Sequence, residues 1–120
     1  MKSPTVLCVD DNAGVRELYQ IWLCQNGYEV IAARDARHAL HVFERRKKQI
    51  SAVILDYDMP GMNGLELAAW LKQLSPGLPV IMVSGSAPQL EDMAPFVDAA
   101  VGKGAPLGNI LNRLEGLLAA

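Results

Sequence analysis

Short apolar runs alternating with helix-periodic segments constrain this 120-residue chain more than any other feature. Residues 5–9, 29–32, 52–55 and 80–83 read as strands, with a weaker fifth at 99–101. Three of them are nearly continuous in apolar character, as strands covered on both faces should be. Val15, Leu18, Tyr19 and Trp22 share one helical face, and Asn26-Gly27 is a stop signal. Asp35 is placed to cap a helix that buries Ala36, Ala39, Leu40 and Phe43. Leu67, Leu71 and Leu74 mark a third helix, ended by Ser75-Pro76-Gly77, and a short one is expected around residues 89–94, between Pro88 and Pro95. The last helix carries a stripe of Leu107, Ile110, Leu111, Leu114, Leu117 and Leu118.

Five repeats of strand then helix predict an α/β fold: an open, doubly wound, five-stranded parallel sheet with five helices on both faces. Ligands of such sheets sit beyond the carboxyl ends of the strands. The strand tips therefore name the candidate site. Strand one delivers Asp10 and Asp11 ("TVLCVDDN"), strand three Asp56 ("AVILDYDMPGMNG"), strand four Ser84, and strand five leads into Lys103.

Three neighbouring carboxylates repel one another, so each resists ionisation unless something neutralises it. A hard divalent cation that keeps several waters, Mg²⁺, suits such an oxygen-lined opening. A lysine and a hydroxyl on the same edge imply that an anion arrives there too. Cation, anion and a strand-tip carboxylate together suggest phosphoryl chemistry, with the carboxylate as nucleophile and an acyl phosphate as product. Asp56 is exposed at its strand tip as the attacking group, and Asp58-Met59-Pro60-Gly61 shapes the turn beneath it.

Other classes are excluded or reduced to bland roles. The net charge of −2, with 51% hydrophobic and 20% charged residues, describes one globular domain without an electrostatic footprint for nucleic acid or an anionic membrane. The longest uncharged stretch, residues 74–90, is interrupted by three prolines and two glycines and will not span a bilayer. One lysine and a few mainly apolar residues before Asp10 do not make a secretory leader. Cys8 and Cys24 lack metal or redox spacing and read as reduced core thiols, so a cytoplasmic protein is expected. His38 and His41 have no further ligand on their helix, and the run from Arg45 to Lys48 is a solvated helix end. Trp22, Trp70 and the methionines read as core or interface filler. Capping by Asp10, Asp11, Asn12 and Asn63 accounts for some of the polar residues, but not for three strand-end acids facing a lysine.

The segments "VLCVDDN", "VILDYDMPGMNGLEL", "PVIMVSG" and "AAVGKG", in this order and spacing, resemble a receiver domain of two-component response regulators over the whole chain. The resemblance implies strand order 2-1-3-4-5 and a single receiver spanning residues 1–120 with no output domain. It implies that Asp56 accepts a phosphoryl group from a phosphohistidine on a sensor histidine kinase or a histidine phosphotransfer protein. Asp11 and Asp56 would bind Mg²⁺ directly with the backbone carbonyl of Asp58, Asp10 would act partly through water, and Lys103 and Ser84 would hold phosphoryl oxygens. Asp58 and Ser86 occupy the positions that tune phosphate lifetime, where an acid at Asp58 would either place the hydrolytic water or repel it.

Two departures bear on output. Ala100 stands where relatives carry a switching Tyr or Phe, and the interval from Ser84 to Lys103 is about one helical turn short. Gly104 follows Lys103 where proline is common, so the usual cis peptide is not implied. Output is expected through protein–protein contacts, with a homodimer through Leu107, Leu114 and Leu118 as one form. No small-molecule turnover is expected. The alternatives are an aspartate-nucleophile phosphatase of the haloacid-dehalogenase type, imitated by "DYD", and a degenerate receiver that only binds a partner. Flavin binding is disfavoured, because no Ser/Thr/Gly-rich phosphate loop follows the first strand.

Overall fold

The computed structural model describes residues 3–85 and 95–119. Five parallel strands, β1 (Thr5–Val9), β2 (Glu29–Ala33), β3 (Ile50–Asp56), β4 (Val80–Ser84) and β5 (Ala99–Gly102), form one sheet in the order β2-β1-β3-β4-β5. Among the described residues there are four helices: α1 (Ala13–Gln25), α2 (Ala36–Arg46), α3 (Gly64–Leu74) and α4 (Leu107–Ala119). The fifth expected helix, around residues 89–94, lies outside the described residues.

The period of two along each strand sorts side chains between two cores. Leu7, Val9, Val53, Leu55, Val80 and Met82 join Phe43, Leu67 and Leu71 of α2 and α3 on one face. Val6, Cys8, Ala52, Ile54, Ile81 and Val83 join Tyr19, Leu23, Ile110 and Leu114 of α1 and α4 on the other. The three central strands are thus buried on both sides, which explains their unbroken apolar character. Each fully buried Leu or Ile contributes about 1.5–3 kcal/mol, so truncating Ile54 or Leu55 to alanine would break the layer locally.

Helix starts follow capping chemistry. Asn12, Asp35 and Asn63 each accept a backbone N–H three residues on, from Val15 (3.0 Å), His38 (2.7 Å) and Glu66 (2.9 Å). At the end of α1, Gly27 takes the left-handed conformation (φ 92°) that ends the helix and returns the chain toward β2.

Several sequence expectations are corrected. Strands β2, β4 and β5 run one residue longer than expected and β3 three, because pairing continues through Ala33, Ile50, Asp56, Ser84 and Gly102, with Ser51 at an irregularity between Ile50 and Ala52. Leu18 is 48% exposed: Tyr19 and Leu23 centre the buried stripe, and about 100° per residue carries Leu18 beyond its edge. Leu74, at the last position of α3, and Trp70, off its Leu67–Leu71 stripe, are also exposed, so Trp70 is not core. Leu114 is completely buried against the sheet and has no surface to offer a second copy. Cys8 is buried and free as expected, whereas Cys24 is free but exposed on α1.

Candidate functional site

The carboxyl edge of the sheet gathers the chemistry. Where β1 ends, the Asp10 N–H donates to the carbonyl of Ala33 (3.1 Å), which carries Asp10 inward beside β2. The Asn12 N–H donates to Asp10 Oδ1 at 2.9 Å, so the residue that caps α1 also steadies this acid. Asp11, the next residue, faces solvent. Asp56 ends β3 and, against the exposure expected of it, is only 2% exposed, because pairing continues to the tip, where it stands beside Val83 of β4. The Tyr57 N–H donates to the carbonyl of Val83 (2.9 Å), locking the β3 tip to β4. Ser84 ends β4 in a buried position, and its carbonyl accepts the Lys103 N–H at 3.0 Å.

Asp10, Asp11 and Asp56 each present a carboxylate oxygen, and the three oxygens lie within 4.8 Å of one another. Lys103 Nζ lies 3.0 Å from Asp56 Oδ1. The Asp58 N–H donates to the same oxygen at 3.0 Å. The two oxygens of Asp56 are therefore unlike. Oδ1 has two donors, while Oδ2 is buried and has no hydrogen-bond partner. Leaving a buried carboxylate oxygen unpaired is costly, and natural structures keep such atoms mainly where a ligand completes them.

The electrostatics agree. Burial, opposed by the Asn12 N–H and reinforced by the charge of Asp56, raises the Asp10 carboxyl above its ordinary range. The hydrogen bond to Asp56 raises the Lys103 ammonium despite partial burial. One lysine faces three acids, so negative charge is in excess at the sheet edge. Three carboxylates, each with an oxygen turned to one opening, fit a divalent cation of the Mg²⁺ type.

The structure thus brings together Asp10, Asp11, Asp56, Asp58 and Lys103, and places Ser84 at the adjoining strand tip. Ser86 lies outside the described residues. Ala100 is half-buried in β5 opposite Met82, where it packs against the α2–α3 core. Sequence reasoning missed three contributors. Arg16 Nη1 donates to the Asp10 carbonyl at 2.8 Å, and its signal was its place one turn beyond the Asn12 cap. The Gly85 N–H donates to Asp58 Oδ2 at 3.4 Å, a backbone contribution no side-chain pattern reveals. Gly64 opens α3 so close to the β3 tip that a Cβ there would lie 2.5 Å from the Asp56 carbonyl oxygen. Two grooves of about 640 and 680 Å³ lie elsewhere, the first lined by Trp70 and Phe96, the second by Thr5 and Arg46, and neither includes a residue of the acid cluster.

Comparison with known proteins converges on one family. A model described as the response regulator receiver domain matches residues 6–102. The phosphate regulon transcriptional regulatory protein PhoB of Pseudomonas aeruginosa is 37% identical over 86 residues, covering 70% of this chain and 37% of PhoB. The autoinducer 1 sensor kinase/phosphatase LuxN of Vibrio campbellii is 36% identical over 90 residues, covering 75% of this chain and 10% of LuxN. The chain therefore spans well under half the length of these relatives. The response regulator TrrA of Thermotoga maritima, solved in complex with Mg²⁺-BeF, is 28% identical with a TM-score of 0.87, covering 96% of this chain and 99% of that one. TrrA solved in complex with the histidine kinase ThkA gives a TM-score of 0.85 at 28% identity, covering 96% of this chain and 98% of that one.

Proposed function

The chain belongs to the response regulator receiver family, and from that premise we propose that it is a phosphorylation-dependent switch whose phosphoacceptor is Asp56. The observation that carries the proposal is the asymmetry of the Asp56 carboxylate. Lys103 and the Asp58 N–H hold Oδ1, and the unpaired Oδ2 keeps its lone pairs for attack. An O–P bond forms at Oδ2 as the N–P bond of a phosphohistidine breaks, and the imidazole leaves. Histidine kinases or histidine phosphotransfer proteins are the donors, a role supported by the kinase complex of TrrA.

Asp11 and Asp56 would hold Mg²⁺ with the backbone carbonyl of Asp58, and Asp10 would act through water; the Mg²⁺-BeF complex of TrrA supports this choice of cation. When bound, the cation neutralises charge on the acids and on the transferring phosphoryl group. The rest of the work falls to protein side chains. Lys103, already at the acceptor, supplies a positive charge to phosphoryl oxygens, and Ser84 at the β4 tip offers a hydroxyl to the same group. The acyl phosphate is the signal and is lost by slow hydrolysis.

Receiver domains are signalling modules and not small-molecule enzymes. Output passes through protein–protein contacts without an aromatic at Ala100, in a domain extending over the described chain. Free thiols at Cys8 and Cys24 accord with the reducing cytoplasm, where we place it. No described helix is long and apolar enough to cross a membrane.

Labelling with a small phosphodonor in the presence of Mg²⁺ tests the proposal. One phosphoryl group per chain is expected, and none in Asp56→Asn. Steady release of phosphate would instead indicate a phosphatase, and a chain that neither labels nor responds to Mg²⁺ and beryllofluoride would be a binding module only.

A further inference from the structure

Asp58 places a second carboxylate in the same corner, and its partners are the groups an incoming anion needs. Its Oδ2 accepts the Gly85 N–H at 3.4 Å and lies 3.9 Å from Lys103 Nζ. Lys103 Nζ is at the same time 3.0 Å from Asp56 Oδ1. The backbone of Gly85 approaches both side chains: a Cβ built there would lie 3.6 Å from Lys103 Cδ and 3.8 Å from Asp58 Oδ2. A backbone N–H and an ammonium converging beside a buried nucleophilic carboxylate form an anion-binding pair. In this structure the anion they face is part of the protein.

We propose that the Asp58 side chain is a built-in competitor for the phosphoryl site, occupying Gly85 N–H and Lys103 until an arriving phosphoryl group displaces it. The inference rests on the phosphoacceptor role of Asp56. It assigns the Asp58 carboxylate a function separate from that of its backbone carbonyl. Displacement is feasible because the Asp58 side chain is 47% exposed and can swing into solvent, whereas that of Asp56 is 1% exposed and cannot. The Asp58 carboxylate and a phosphoryl group claim the same Gly85 N–H and the same ammonium, so the carboxylate leaves when the phosphoryl group takes them. The device sets a threshold: weak phosphate mimics and poor donors meet an occupied site, and a bound, positioned donor overcomes it.

Two measurements on the whole chain test this. Without Mg²⁺ or any phosphate mimic, hydrogen exchange at the Gly85 amide is expected to be slower in the wild type than in Asp58→Ala, which removes the acceptor. Equal exchange rates would overturn the contact itself. With Mg²⁺ held at saturation, Asp58→Ala is expected to bind beryllofluoride about tenfold more tightly than the wild type, the size expected from removing a like charge at close range. Equal or weaker binding by Asp58→Ala, with the wild type still binding and Asp56→Asn not binding, would overturn the competitor while leaving the phosphoacceptor intact. Absence of binding by both proteins would remove the phosphoacceptor reading, and the competitor with it.

Discussion

Lys103 Nζ lies 3.0 Å from Asp56 Oδ1, joining an ammonium on a side chain 42% exposed to a carboxylate on one only 1% exposed. The pair is unequal by design of the sheet: Asp56 is fixed by β3, whereas Lys103 reaches it from the turn after β5. A charge this buried needs a partner, and the partner must also be able to turn toward a newcomer. Exposure of the lysine stem permits that.

The pair predicts a pH dependence of known sign. The Asp56 hydrogen bond raises the Lys103 ammonium above its unfolded value of 10.5, so the folded chain holds this proton more tightly. The resulting stabilisation is fully present below pH 10.5 and is lost as pH rises through the folded value. Screening of the exposed ammonium limits it to about 1 kcal/mol. Urea midpoints of wild type and Lys103→Met should differ by a constant amount from pH 7 to about 9.5 and converge above about 10.5. A gap that widens at high pH would contradict the pairing. Labelling of Lys103→Met by a small phosphodonor should fall by about a hundredfold, the usual scale for one electrostatic group at a reacting centre.

Asp10 is shifted in the same direction, but for an acid the upward shift means that its charged form costs stability at neutral pH. Burial and the charge of Asp56 raise the Asp10 carboxyl, so the folded chain binds a proton there more readily than the unfolded one. Without a divalent cation, that contribution to stability is greatest below the ordinary carboxylate value of 3.8 and declines as pH rises through the folded value. At neutral pH Asp10→Asn should therefore melt a few degrees higher than the wild type in the presence of a chelator. Mg²⁺ should raise the wild-type melting temperature, by up to about 2.7 kcal/mol in free energy at a hundred times its dissociation constant. The shift should be greatly reduced in Asp11→Asn. Calorimetry with and without Mg²⁺ checks all three, and an Asp10→Asn variant that melts lower under both conditions would contradict the electrostatic account.

Much of this was legible in the sequence because the signals were local. Asp10, Asp11 and Asp56 directly follow or end apolar runs, so locating the strands located the acids. Asn12, Asp35 and Asn63 cap the helices their spacing announced. What stayed hidden depends on rotation and distance. Leu18 and Tyr19 are neighbours of similar apolar character, and only the sheet decides that Tyr19 is buried. Arg16 meets the Asp10 carbonyl through helix phase, and Gly85 meets Asp58 through backbone across 27 residues. No composition or period encodes the unpaired Oδ2 of Asp56. It follows from Lys103 and the Asp58 N–H both meeting Oδ1.

Gly64 sets two magnitudes against each other. Replacing a helical glycine by alanine ordinarily gains about 0.5–1 kcal/mol in backbone entropy. Here the new Cβ would lie 2.5 Å from the Asp56 carbonyl oxygen, 2.8 Å from Tyr57 Cα and 2.9 Å from Met82 Sδ. Two of these three are backbone atoms at the acceptor's own strand tip, so relief requires α3 to move away from β3. Overpacking of this kind costs about 1–3 kcal/mol, and the clash should win. Urea unfolding should place Gly64→Ala about 1–2 kcal/mol below the wild type, on the balance of those two effects, with reduced labelling at Asp56. An unchanged or increased midpoint would mean that the helix start yields freely.

At the opposite end of the sheet, Asp98 ties three elements together through one oxygen. Its Oδ2 accepts the Val80 N–H at the start of β4 and Lys72 Nζ from α3, both at 2.8 Å. The two bonds are not equivalent. Val80 is buried and its N–H has nowhere to turn for water, whereas Lys72 and Asp98 both keep part of their side chains in solvent. Loss of a charged acceptor from a buried donor costs about 1.5–3 kcal/mol, and loss of a partly exposed ion pair about 1 kcal/mol or less. Asp98→Ala should therefore destabilise the fold at least twice as much as Lys72→Met, with Asp98→Asn between them because its amide oxygen still serves Val80. Equal losses in Asp98→Ala and Lys72→Met, read from urea unfolding, would show that the charge pair and not the backbone bond holds this edge. Because the latch lies far from Asp56, labelling of Lys72→Met should match the wild type.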